Sequence, residues 1–133
     1  MASIFSRIVL GEIPAYKVAE TEHCLAFLDI NPLMTGHTLV IPKKEVDFIF
    51  DLEEEAYLEL MDLVRKVGRA IHSLGYAKRV GVAVIGLEVP HAHVHLVPIN
   101  ELHDLDFSRP KLSMDSSAFQ KVAADIIMAM QAS

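Results

Sequence analysis

The chain has 133 residues, 52% of them hydrophobic, which suits one domain with a real core and is too short for two ordinary ones. Its formal net charge is -6 and no basic cluster exceeds Lys43-Lys44 or Lys78-Arg79, which excludes the electrostatic footprint of a protein that grips polymeric nucleic acid. A lone Cys24 excludes an internal disulfide framework, no apolar run approaches bilayer length, and the opening segment lacks a signal-peptide pattern, so the expectation is a cytoplasmic protein with no membrane partner.

Ile4, Phe5, Ile8 and Val9 fall at helical spacing between Ser3, a natural N-cap, and Gly11, a natural stop, so a short amphipathic helix is predicted over 3–10. Pro14 bars its continuation. Tyr16 to Ala19 and Cys24 to Leu28 read as two strands of a hairpin joined by the polar run Glu20-Thr21-Glu22-His23. Asp29-Ile30-Asn31-Pro32 reads as a turn, Gly36 punctuates the loop that follows, and His37 to Ile41 reads as a buried strand halted by Pro42. From Glu53 to about Leu74 the apolar residues recur at three- and four-residue steps, the pattern of a long helix closed by Gly75.

Arg79 to Ile85 is predicted as the next strand, and Gly86 to Pro90 turns the chain into His91-Ala92-His93-Val94-His95-Leu96-Val97-Pro98. These last two strands are expected to pair at the centre of the sheet. Residues 102–114, polar and holding Pro110, read as an ordered surface loop, after which Ser116 to Met130 resumes helical periodicity with Ser116 or Asp115 as its cap. There is no internal repeat and no interdomain linker. The order of elements predicts an α+β fold, a single domain over 1–133 with an antiparallel sheet of about five strands, a long helix, and N- and C-terminal helices.

The alternating histidines carry the chemistry. On an extended strand, His91, His93 and His95 emerge on one side while Ala92, Val94 and Leu96 take the other. Imidazole titrates nearest neutrality, which makes it a nucleophile, a proton carrier or a transition-metal ligand. The triad itself leaves covalent catalysis and metal binding both open, since three imidazoles with one free position is also a catalytic metal arrangement.

The run His91-x-His93-x-His95, with apolar residues between, resembles the signature of the histidine triad (HIT) superfamily of nucleotide-binding hydrolases and transferases. The resemblance extends through Ile4 to Pro14, Cys24 to Pro32 and Gly36 to Lys44, and so covers about 3–98; residues 99–133 form a loop and helix extension with no such match. It implies a bacterial Hint-like member that dimerises through helix and strand and holds a purine nucleotide or nucleotide conjugate in a groove over the triad.

The same resemblance implies roles for individual residues. His93 is the nucleophile that attacks the α-phosphorus and forms a nucleotidyl-histidine, later hydrolysed to release nucleoside monophosphate from phosphoramidate-type or dinucleoside polyphosphate substrates. His95 and His91 flank it and His37 lies nearby. The flanking imidazoles can donate to non-bridging phosphate oxygens, with backbone amides around Val89 to His91 adding donors, and no metal or other cofactor is then required. Asp29 takes the ribose hydroxyls, Phe27, Leu28, Ile30 and Leu39 line the base pocket, and Glu88 and Val89 border the phosphate.

Two departures from the family pattern stand out. Many members carry Gly-Gln-Ser or Gly-Gln-Thr ahead of the triad, where this chain has Gly86-Leu87-Glu88, and the asparagine often supplied by the preceding strand is not evident in Gly81 to Ile85. Leu87 cannot hydrogen-bond and an ionised Glu88 would repel phosphate, so a nucleotide-binding or interaction module with little turnover stays open beside the hydrolase. Ser3 and Ser6 stand where some bacterial relatives have a zinc-holding Cys-x-x-Cys, and hydroxyls are poor zinc ligands, so that site is expected to be absent. Cys24 is expected to be buried, and His23, His72 and His103 to lie at the surface.

Overall fold

The computed structural model describes residues 2–132. Helix α1 spans Ile4–Val9; the Ser3 hydroxyl accepts from the Ser6 N–H, as an N-cap should, and the chain leaves the helix through Leu10 and Gly11. Strands β1 (Lys17–Glu20) and β2 (Cys24–Leu28) form the expected hairpin, followed by β3 (Thr38–Pro42). Helix α2 (Glu54–Ser73) is the long amphipathic helix, and strands β4 (Arg79–Ala83) and β5 (Val94–Ile99) precede helix α3 (Ser116–Gln131), capped by Asp115. Between β5 and α3 the loop makes one 3-10 turn at Leu102–Leu105. No helix among the described residues is long and apolar enough to cross a membrane.

The five strands run in the order β1-β2-β3-β5-β4, every neighbouring pair antiparallel. The α+β expectation and the five-stranded sheet are therefore observed. β3 is the central strand, however, and β4 lies at an edge, so the β4–β5 pair is not the sheet centre; β4 also ends two residues earlier than the sequence suggests.

Alternation along the strands splits the sheet into two apolar faces. Cys24, Ala26 and Leu28 of β2, Val40 of β3, and Val94 and Leu96 of β5 pack under α2 and α3, with Leu60, Leu63, Val67, Phe119 and Ile126 facing them. Cys24 is buried here, as expected. Leu25, Phe27, Leu39 and Ile41 face the other way and are covered by Phe5 and Ile8 of α1. The register sets Phe27 opposite Leu39 and Leu39 opposite His95, so one row of side chains crosses three strands and ends on a triad histidine.

The triad itself is only partly a strand. β5 begins at Val94, so His91 and His93 stand on the irregular segment that enters it. The ladder stops because its neighbour turns away at Pro42: Ala92 N–H donates to Val46 O, and the Pro42 carbonyl is taken by the ring of His91. Ala92, Val94 and Leu96 still face the helices, as alternation demands.

Candidate active site

Above the Phe27–Leu39–His95 row lies a cavity of about 600 Å³ whose walls come from α1, the ends of β2, the segment 85–89 and residues 107–111. It brings together Phe27, Leu28, Asp29, Ile30, Leu39, Glu88, Val89, His93 and His95 from the residues singled out in the sequence. Leu28 borders the cavity, but its side chain belongs to the cluster beneath α2 and α3. Ile30 sits at the rim and is largely exposed. Most of the wall is apolar, with Ile4, Phe5, Ile8 and Ile13 supplied by the N-terminal segment, which suits the flat faces of a base.

The hydrogen-bond network assigns a proton to each ring. His93 Nδ1 lies 2.7 Å from the His91 carbonyl, which can only accept, so the proton is on Nδ1 and Nε2 keeps its lone pair. The Phe5 ring stands edge-to-face against His93 at 4.9 Å and fixes its tilt. Leu33 N–H donates to His37 Nδ1, so His37 carries its proton on Nε2 and donates it to His95 Nδ1 at 3.0 Å. His95 is left with its proton on Nε2, as a donor at the cavity wall. Burial pushes His37 down to about 3 and His95 down to about 4, so both rings are neutral at physiological pH.

His91 is placed otherwise than the strand reading implies. It is fully buried, does not line the cavity, and has both ring nitrogens engaged by protein: Nε2 donates to Pro42 O at 2.7 Å, and Nδ1 accepts from Ser3 Oγ at 2.8 Å. Neither nitrogen is free to donate to a phosphate oxygen. What His91 offers the site is its carbonyl.

Ser3 belongs to a small network that the sequence did not disclose. Its backbone N–H and the Ser6 hydroxyl both donate to Glu45 Oε1, at 2.6 and 2.7 Å, and these bonds hold the Glu45 carboxyl at about 2. The two serines, whose spacing suggested a missing thiolate pair, instead tie α1 to the loop after β3 and to His91. Nothing in the sequence marks Glu45, a loop carboxylate with no pattern around it.

Asp29 is half-buried at the end of β2. Its Oδ1 accepts from Asn31 N–H at 2.8 Å, the turn the sequence suggests, while Oδ2 lies 3.5 Å from His37 Nε2. Burial raises the Asp29 carboxyl above its ordinary value. Ligand atoms of Asp29, His37 and His95 fall within 4.8 Å of one another, a grouping that a divalent cation could use. Yet His37 Nε2 and His95 Nδ1 are at hydrogen-bond distance, closer than the roughly 3.3 Å separating two nitrogens on tetrahedral zinc.

Gly36 precedes His37 with φ +94, a left-handed conformation that favours glycine, and a Cβ there would meet Tyr76 at 3.0 Å and Pro98 at 3.2 Å. This close approach brings His37 under His95. Phe107 and Lys111, from a region read only as surface loop, also reach the cavity, and Phe107 lies edge-to-face on His95 at 4.6 Å. Leu87 is 87% exposed and Glu88 is exposed as well, both at the cavity mouth. His23, His72 and His103 lie at the surface.

A family model, the HIT domain, matches residues 10–102. The chain is 36% identical over 128 residues to the adenosine 5'-monophosphoramidase hnt1 of Schizosaccharomyces pombe, covering 95% of this chain and 96% of that protein. Among solved structures, a Hit-like protein involved in cell-cycle regulation from Bartonella henselae superposes with a TM-score of 0.84 at 28% identity, covering 96% of this chain and 95% of that one. A Zn-bound histidine triad family protein from Mycobacterium smegmatis superposes with a TM-score of 0.80 at 27% identity, covering 99% and 95%.

Proposed function

Because the chain belongs to the HIT domain family, we propose that it is a nucleotide hydrolase that works through a covalent nucleotidyl-His93, with purine nucleoside phosphoramidates or related conjugates as substrates. The reading is supported by the resemblance to an adenosine 5'-monophosphoramidase and carried by one observation: His93 lines the cavity with its proton committed to the His91 carbonyl and its Nε2 lone pair free.

In the proposed reaction Nε2 attacks the α-phosphorus, the bond from phosphorus to the leaving nitrogen breaks, and the amine departs with a proton taken from water at the open mouth. The positive charge on His93 is stabilised by the His91 carbonyl through Nδ1–H. His95 Nε2–H donates to a non-bridging oxygen as charge builds there. The hydroxide left by that proton transfer then attacks the same phosphorus, the P–N bond to His93 breaks to return the neutral ring, and nucleoside monophosphate leaves. Asp29 accepts from the ribose hydroxyls, and the base lies among Phe27, Leu39 and α1. Dinucleoside polyphosphates would pass through the same intermediate.

A second reading, a nucleotide-binding module with little turnover, draws on Leu87 and Glu88, which give the leaving group no neutral hydrogen-bond donor. One experiment separates the two: incubation with an adenosine phosphoramidate, a quench during turnover, and mass mapping of any adenylyl group. The hydrolase reading expects AMP release and a label on His93, both lost in His93→Ala. Unimpaired turnover by that variant removes His93 as nucleophile; tight nucleotide binding without AMP release favours the module.

We also propose that two copies pair through α2 and β4, an arrangement supported by the free edge of β4, with Val82 exposed on that strand and Val84 exposed just past its end. Sedimentation of the wild-type chain tests it, with a mass of one copy as the contrary result.

A further inference from the structure

The side chains that line the cavity offer little positive charge to meet a phosphate. His95 in its wall and His37 behind it are neutral, and Asp29 and Glu88 bring carboxylates. Among the described residues that line the cavity, one lysine or arginine is present, Lys111. A phosphate monoester entering this space meets negative charge unless that ammonium is turned toward it.

The loop that carries Lys111 is built to hold it there. Asp104 Oδ2 accepts from Asn100 N–H and Glu101 N–H, its Oδ1 pairs with Arg109 at 3.1 Å, and Leu112 N–H donates to Pro32 O at 2.8 Å. The loop is thus fixed to the end of β5 on one side and to the Asp29–His37 turn on the other. Lys111 Nζ donates to the carbonyls of Phe107 and Arg109, which leaves its third N–H without an acceptor among the described residues. The ammonium is near enough to Asp29 and His37 for its charge to lower the proton affinity of both.

We propose that Lys111 is a phosphate-binding residue of this site, its ammonium donating to a phosphate oxygen of the bound nucleotide, so that the loop after β5 is part of the recognition surface and not a cover over it. The assignment rests on the nucleotide reading of the cavity. It does not need turnover, and binding measurements test it alone.

AMP and adenosine are titrated calorimetrically into wild type, Lys111→Gln and Lys111→Arg at low ionic strength. The expected result is a tenfold or larger loss of AMP affinity in Lys111→Gln, an unchanged adenosine affinity, and recovery of most AMP binding in Lys111→Arg. Added salt should weaken AMP binding to wild type more than to Lys111→Gln. Equal AMP affinity in wild type and Lys111→Gln overturns the assignment, and so does an equal loss for AMP and adenosine, which would mean that the loop had merely shifted. A wild-type chain that binds neither ligand overturns the nucleotide reading itself, so the two failures are told apart by the first titration.

Discussion

Nε2 of His37 and Nδ1 of His95 stand 3.0 Å apart, both rings buried, with the His37 proton between them. Since Leu33 N–H occupies the far side of His37, this one contact decides which nitrogen of His95 faces the cavity as a donor. Removing the ring in His37→Ala frees His95 to take the other tautomer. We expect kcat for an adenosine phosphoramidate to fall by about 10- to 100-fold. His37→Gln, whose amide NH2 reaches the same place, should keep most of the rate. Steady-state kinetics of the two variants checks this, and equal losses in both would argue against a tautomer role.

The same pair makes stability depend on pH. In the unfolded chain both rings titrate near the ordinary value of about 6.5, whereas in the fold burial moves them to about 3 and about 4. Between those limits the unfolded chain binds more protons, so stability falls as pH falls below about 6.5 and is flat in this term above it. Each ring contributes a slope of up to about 1.4 kcal/mol per pH unit. Urea midpoints at pH 7 and pH 5 should differ in that direction, and His37→Gln should shrink the difference.

Ser3 serves two partners at once, capping α1 through Ser6 N–H and donating to His91 Nδ1. Ser3→Ala therefore loses an N-cap and the shorter of two hydroxyl contacts to a buried ring nitrogen, leaving Ser6 Oγ at 3.3 Å, a cost of about 1–3 kcal/mol. Thermal unfolding should show it. Because the His91 carbonyl holds His93, kcat is expected to drop as well, and Ser3→Thr should restore both.

Asp29 lines the cavity with one oxygen held in the turn with Asn31 and the other 3.5 Å from His37 Nε2. Asp29→Asn keeps the oxygen for the turn but replaces one acceptor by a donor. The KM of the ribonucleotide substrate should rise about tenfold with little change in kcat. The wild type should prefer a ribose over a 2'-deoxyribose conjugate, and the variant should lose most of that preference. Matched kinetics on the two sugars provides the measurement.

How far the sequence reaches can be judged from particular residues. A continuous apolar run bounded by polar residues located β2, which is buried on both faces, and helical spacing located α2 to within a residue, because that helix has one apolar face to bury. Pattern could not reveal that β5 starts only at Val94, since that depends on where β3 and β4 leave the sheet. The carbonyl that sets the tautomer of His93 is the one two residues upstream, a contact that depends on the bend at the start of β5. The engaged ring of His91 was not legible: Ser3 and Pro42 meet it from 88 and 49 positions away in the numbering, through contacts that only the packed fold creates. Lys111 and Phe107 were hidden for the same reason, in a loop whose anchor points are Asp104 and Pro32.

The opposed faces of β5 have a consequence for how this protein can be assayed. His95 and Leu96 are neighbours in the chain and lie on opposite sides of the sheet. A slip of one residue between β3 and β5 would drive the imidazole in among the helices and turn the leucine toward the cavity. Such a molecule could keep its secondary structure and compactness and so pass by circular dichroism or sizing. It would have no imidazole donor at the cavity wall. Recovery of the proposed activity after refolding therefore requires correct strand register, which bulk spectroscopy does not report.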